Sequence, residues 1–86
     1  MSYEKVTKFK SRLIIGRKQT LKAMKHGQIS EVVIADDADQ SVTGEIEELA
    51  EVLGVTCSKV NSKKKLGAAC GIEVPASAVA IKKTLP

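Results

Sequence analysis

The sequence predicts an α/β fold, a three-layer α/β/α sandwich in which helices cover both faces of a small four-stranded sheet. Three observations carry that prediction. Short apolar runs of strand length, rich in β-branched residues, alternate with amphipathic segments of helical period. Glycines mark the boundaries of the helical segments at Gly16, Gly27, Gly54 and Gly71. The 86 residues are enough for one domain with a modest core and short of the size at which chains usually divide. A single domain over residues 1–86 is expected, and its core must be aliphatic because Tyr3 and Phe9 are the only aromatic residues.

Taken in order, Tyr3 to Lys10 form a first helix, with Tyr3, Val6 and either Phe9 or Lys10 giving a weak apolar stripe. Leu13 to Ile15 is a strand. A helix from Arg17 to Lys25 follows it, opening at Gly16 and capped at its end by Gly27. Ile29 and Ser30 lead into a second strand, Val32 to Ala35. The third helix is capped by Asp39 or Ser41 and carries Ile46, Leu49, Ala50 and Leu53 at i, i+3, i+4 and i+7, a core stripe. Glu45 and Glu48 are read as a solvated face of it, not a catalytic pair. Val55 to Val60 is a partly exposed strand with a weak two-residue period. Ser62 caps a fourth helix, Lys63 to Cys70, with Leu66, Ala69 and Cys70 inward, and Gly71 ends it. Ile72 to Pro75 form a loop, Ala78 to Ile81 the last strand, and Lys82 to Pro86 a frayed tail.

The helix that opens at Gly16 organises the rest. A helix start is electropositive and leaves backbone N–H groups free, so Arg17 and Lys18 are unfavourable there unless an anion docks. Lys18, Lys22 and Lys25 fall at i, i+4 and i+7 on one face, while Leu21 and Met24 turn to the core. Lys63, Lys64 and Lys65 crowd the first turn of the fourth helix, so its start also reads as arranged for an anion. The net charge of +4 conceals a segregation of charge along the chain. Residues 1–30 carry +7, residues 31–58 carry −8 with no Lys or Arg, and residues 59–86 carry +5. If the basic ends meet in the fold, one face is strongly positive, the footprint of a nucleic-acid binder.

Other chemistries find little support. The Gly16 segment lacks the second glycine and the Gly-Lys-Ser/Thr ending of a nucleotide loop. No nucleophile triad, metal cluster or spaced carboxylate pair is present, and His26 reads as a surface histidine at a helix end. Neither an enzyme nor a bound cofactor is expected. Cys57 and Cys70 lack metal-ligand spacing and read as buried free thiols. The N-terminus lacks a signal-peptide pattern, and no apolar run approaches the roughly 20 residues of a bilayer span. A cytoplasmic, soluble monomer is the expectation. The scarcity of aromatics argues against single-strand readers that stack bases on rings, which leaves structured RNA or a duplex. Gln19 can donate and accept, and so read a base edge while Arg17, Lys18 and Lys22 hold phosphates or further base acceptors.

Two motifs together, Gly16-x-Lys18-Gln19-Thr20-x-Lys22-Ala23 and Lys65-Leu66-Gly67-x-Ala69-x-Gly71-Ile72-Glu73-Val74, strongly resemble the kink-turn-binding ribosomal protein family. The resemblance spans Tyr3 to Ile81 and is closest to the small bacterial members of the YbxF type. The family also contains the archaeal large-subunit ribosomal protein that serves as the core of box C/D ribonucleoproteins. The resemblance implies an α/β/α sandwich with a mixed four-stranded sheet. It implies further that the helix start matching Gly16 to Lys22 enters the widened major groove of a kink-turn. There Lys18, Gln19 and Lys22 would touch tandem sheared guanine–adenine pairs, and Ile72, Glu73 and Val74 would pack against the bulge. The archaeal pattern has Asn and Glu where Lys18 and Gln19 stand; the Lys-Gln pair agrees with the bacterial type. The expected partner is structured RNA containing kink-turns, in ribosomal RNA or a riboswitch, bound by Gly16, Arg17, Lys18, Gln19, Lys22, Lys25, Lys63, Lys64, Lys65, Ile72, Glu73 and Val74. The alternative is a protein-interaction module with a generally basic surface.

Overall fold

Four consecutive apolar residues, Val32-Val33-Ile34-Ala35, point to both faces of any strand they form, so such a strand needs helices on both sides. The computed structural model describes residues 2–83 and supplies that cover. Its strands are β1 (Leu13–Ile15), β2 (Ile29–Ala35), β3 (Thr56–Val60) and β4 (Ala78–Lys82). Its helices are α1 (Ser2–Lys8), α2 (Arg17–Lys25), α3 (Gln40–Leu53) and α4 (Lys63–Cys70), with a 3-10 turn at Lys10–Arg12. The strand order is β1-β4-β2-β3. β4 runs antiparallel to β1 and to β2, while β3 runs parallel to β2, so the sheet is mixed.

Each face has its own core. On one, Leu21, Ala23 and Met24 of α2 and Ile46 and Ala50 of α3 pack against Val32, Ile34, Ala78 and Ala80. On the other, Val6 of α1 and Leu66 and Cys70 of α4 pack against Val33, Ala35, Val60 and Val79. Alternate residues of β2 and β4 thus serve opposite layers, as the two-residue period requires. Alanines at positions 78 and 80 offer small side chains where α2 and α3 cross.

The differences from the sequence reading have local causes. β2 begins at Ile29, not Val32, because a bulge lies at its start: Ile29 pairs with Lys82 while Glu31 pairs with Ile81. The extra residue breaks the alternation and turns Ile29 to the same core as Val32 and Ile34. Glu31 is then buried, held by Lys5 Nζ at 3.0 Å and by the Ser58 hydroxyl, which donates to it at 2.9 Å. α1 stops at Lys8, two residues short of the expected Lys10, since the chain must tighten for Leu13 to reach its partner Ile81. Asp39 caps α3 by accepting from the Ser41 amide at 3.0 Å, and that bond holds its carboxyl below the usual range.

Leu53 does not complete the core stripe: it is 45% exposed, since Gly54 turns the chain and the Val55 amide bonds back to Ala50. β3 starts at Thr56, one residue later than expected. Cys70 is buried but Cys57 only partly so, because β3 is an edge strand. Both cysteines are free thiols, and burial pushes both upward in pKa. The last strand includes Lys82, and the Lys83 amide donates to Gln28 at 2.8 Å, so the expected tail starts later; residues 84–86 lie outside the described residues.

The two sides of α3 predict contrasting substitutions. Ile46→Ala should cost about 2–5 kcal/mol in urea unfolding, because Ile46 is fully buried. Val52→Ala should stay within about 0.5 kcal/mol, because Val52 is 80% exposed.

Candidate functional site

β1 ends at Ile15 and α2 begins at Arg17, so the whole reversal falls on Gly16. Its φ of 103° and ψ of 154° lie in a region open essentially to glycine alone. The Gly16 amide donates to the Ala78 carbonyl at 3.1 Å, which fastens the start of α2 to the start of β4. Glycine has no side-chain oxygen, and no side chain caps this helix. The first turn of α2 therefore presents amides and the dipole's positive end together with Arg17 and Lys18, with no acidic residue in that turn.

The α4 start, which the sequence also reads as arranged for an anion, differs from the α2 start in being capped. Two of its first-turn donors are already taken: the Ser62 hydroxyl accepts from the Lys65 amide at 3.1 Å, and the Asp37 carboxylate accepts from the Lys63 amide at 2.8 Å. The Ser62 amide in turn donates to the Tyr3 hydroxyl at 3.1 Å. The anion that this helix start holds is Asp37. Lys63, Lys64 and Lys65 remain exposed cations around it.

Between α4 and β4 the loop is held close. The Ile72 amide donates to the Gly67 carbonyl at 3.1 Å and the Ala76 amide to the Lys63 carbonyl at 3.0 Å, laying residues 72–76 back along α4. Gly67 makes this approach possible, since a Cβ there would stand 2.1 Å from the Val74 carbonyl oxygen. Ile72 packs against the core of the α1 and α4 layer, whereas Val74 is 62% exposed and Glu73 is exposed. The loop leads through Ala76 and Ser77 to Ala78, whose carbonyl accepts from Gly16, so it enters β4 beside the uncapped helix start.

Not every predicted residue joins them in the same way. Gln19 and Lys22 line a shallow groove with Ile14, Ala23, His26 and Gln28. Lys25 instead borders the groove toward α3, with Leu21, Glu45, Glu48, Leu49 and Val52. Arg17 is ion-paired with Glu45. Among the described residues, Lys18, Lys22, Lys25, Lys63, Lys64 and Lys65 have no carboxylate in ion-pair distance. Sequence reasoning missed the contribution of His26 and Gln28 to the groove, which only the return of the chain at Gly27 brings together. It also missed Thr20, fully buried beneath the helix start with a hydroxyl that lacks a partner among the described residues. Among those residues no group of three or more His, Cys, Asp or Glu is placed to hold a metal, and no helix is long and apolar enough to cross a membrane.

Residues 1–84 match the ribosomal protein L7Ae/L30e/S12e/Gadd45 family. An "RNA-binding protein" of Bacillus pumilus is 53% identical over 81 residues, which cover 94% of this chain and 98% of that protein. "RNA-binding protein YbxF" of Geobacillus stearothermophilus is 47% identical, with the same coverage of 94% and 98%. Among solved structures, the "Giardia lamblia 15.5kD RNA binding protein" superposes with a TM-score of 0.91 at 29% identity, covering 96% of this chain and 72% of that one.

Gly67→Ala should displace the loop and cost about 1–3 kcal/mol of stability. Faster amide hydrogen exchange at Ile72 and Ala76, whose partners lie on α4, would locate the damage. Thr20→Val removes a hydroxyl without a partner and keeps the side-chain shape, so the melting temperature should hold or rise.

Proposed function

Because the chain belongs to the ribosomal protein L7Ae/L30e/S12e/Gadd45 family, we propose that it is a non-enzymatic RNA-binding protein that recognises and stabilises kink-turns in structured RNA. The observation that carries this reading is the uncapped α2 start at Gly16, flanked by lysines with no carboxylate in ion-pair distance among the described residues and bonded to Ala78, where the loop carrying the exposed Val74 enters β4. An RNA groove lined by phosphates supplies the negative charge that such a helix start lacks. The names of its bacterial relatives and of the Giardia protein support RNA as the ligand class.

In this reading the first turn of α2 enters the widened major groove. Lys18 and Lys22 reach guanine acceptors or phosphates, and Gln19 reads a base edge with its amide as donor and acceptor. Val74 and Glu73 cover the bulge, with Ile72 anchoring their loop to the core. Lys63, Lys64 and Lys65 contribute phosphate contacts through their side chains alone, the α4 backbone being occupied by Asp37 and Ser62. Arg17 acts through its link to Glu45, which orients it along α3, and Lys25 adds long-range charge. Charge supplies affinity and shape supplies selectivity.

A protein-partner reading has one observation in its favour. Val52 and Leu53 are 80% and 45% exposed at the end of the acidic α3, an apolar tip suited to another protein. Co-purification of a partner that survives nuclease treatment would favour it.

The deciding experiment is a titration at stated salt against a kink-turn RNA and the same RNA with its guanine–adenine pairs converted to Watson–Crick pairs. The first should bind at least tenfold more tightly, about 1.4 kcal/mol, and equal binding would sink the reading. Gln19→Ala should narrow that preference by about 1–3 kcal/mol, without change in the melting temperature.

A further inference from the structure

The N-terminal third holds more cations than the α2 start uses. Lys8, Lys10 and Arg12 lie on the turn that joins α1 to β1. Three observations give this turn a defined place. A Cβ on Gly71 would stand 3.0 Å from Lys10 Cε and 3.2 Å from Lys10 Nζ, so the Lys10 side chain lies across bare glycine backbone where the 72–75 loop begins. Lys10 is also close enough to Cys70 for its charge to oppose the upward push of burial on that thiol. Phe9 is flanked by cations, with Lys8 Nζ 5.6 Å and the Arg12 guanidinium 4.8 Å from the ring centroid. Lys8 and Lys10 have no carboxylate in ion-pair distance among the described residues.

β1 runs from this turn to Gly16 and forms the outer edge of the sheet. Its three residues span about 10 Å at roughly 3.3 Å each. That is the reach of only a few successive phosphates along an RNA strand. A strand of RNA that meets the α2 start and continues along this edge therefore arrives at Lys10. We infer that Lys8, Lys10 and Arg12 form a second phosphate-binding patch that grips the backbone of the RNA helix flanking the bound motif. This rests on the RNA reading above and adds a ligand segment to it. Lys10 also meets the negative end of the α4 dipole. That role alone would act on stability and not on salt dependence.

The test compares the full-length chain with Lys8→Gln/Lys10→Gln; Arg12 stays because it is partly buried against Phe9. Both are titrated over a range of salt against a kink-turn RNA with two long flanking helices, and against versions with each helix cut short. The double variant should lower the magnitude of the salt slope by about 2, at roughly 0.9 per phosphate, and leave the preference for sheared pairs unchanged. Shortening one helix should lower the wild-type slope equally, and the variant should lose nothing more on that RNA. An unchanged slope on the long RNA overturns the patch, as does a loss that persists on both shortened RNAs. So does an effect confined to the melting temperature. Equal wild-type binding to sheared and Watson–Crick RNA would overturn the kink-turn reading separately, since the slope comparison is made equally well on either RNA.

Discussion

The hydrogen bond from the Gly16 amide to the Ala78 carbonyl joins the two halves of the candidate site. It is available because Gly16 adopts a backbone conformation that costs any other residue about 1–3 kcal/mol. One residue thereby sets two properties. The reversal is tight enough for α2 to start immediately beyond β1, beside the entry to β4. The same lack of a side chain leaves the helix without a cap. A Ser or Asp in its place would supply an oxygen to the first turn and remove the vacancy that an anion can fill.

The contrast with α4 shows why capping decides what charge alone does not. Both helices open with lysines, and both are electrostatically unfavourable in isolation. At α4 the chain answers with Asp37 and Ser62, contributions of roughly 1 kcal/mol each in comparable caps. At α2 Glu45 pairs with Arg17, but no side chain caps the free amides, and Lys18 has no carboxylate in ion-pair distance among the described residues. Lysines around a capped start hold phosphate by side chain only, as flexible point charges. Lysines around an open start add to a rigid array of amides, and rigidity is what recognition of a shaped ligand needs.

The fold was legible where its signals are local. β1, α2, α4 and the loop to β4 fall where the glycines and the apolar runs placed them. The α3 stripe held at Ile46 and Ala50 and failed at Leu53, where Gly54 turns the chain. Features set by distant partners left no local trace. The β2 bulge depends on the register with β4, and the end of α1 depends on the pairing of Leu13 with Ile81. The Asp37 cap lies 26 residues from the amide that it accepts. For the site, the family motifs pointed to α2 and the 72–75 loop, but periodicity could not show that Lys25 borders the acidic α3 groove while Gln19 and Lys22 line another.

The segregation of charge along the chain acquires a physical meaning in three dimensions. Three acids from the middle third each meet a cation from outside it: Glu31 with Lys5, Glu45 with Arg17, and Glu47 with Lys59. The two exposed pairs, Glu45 with Arg17 and Glu47 with Lys59, contribute only about 0–1 kcal/mol each, so their consequence lies in distribution more than in stability. Glu31 is drawn toward α1 and Glu47 toward the β3 edge, while Glu45 meets Arg17 at the α2 start. Lys10, on the turn before β1, and Lys18 and Lys22, on the helix after it, have no carboxylate in ion-pair distance among the described residues. A polyanion approaching the protein then meets its attractive field on the side where Gln19 and Val74 wait. On the proposed reading, charge that is indifferent to sequence would deliver the RNA to the few groups that would test its shape.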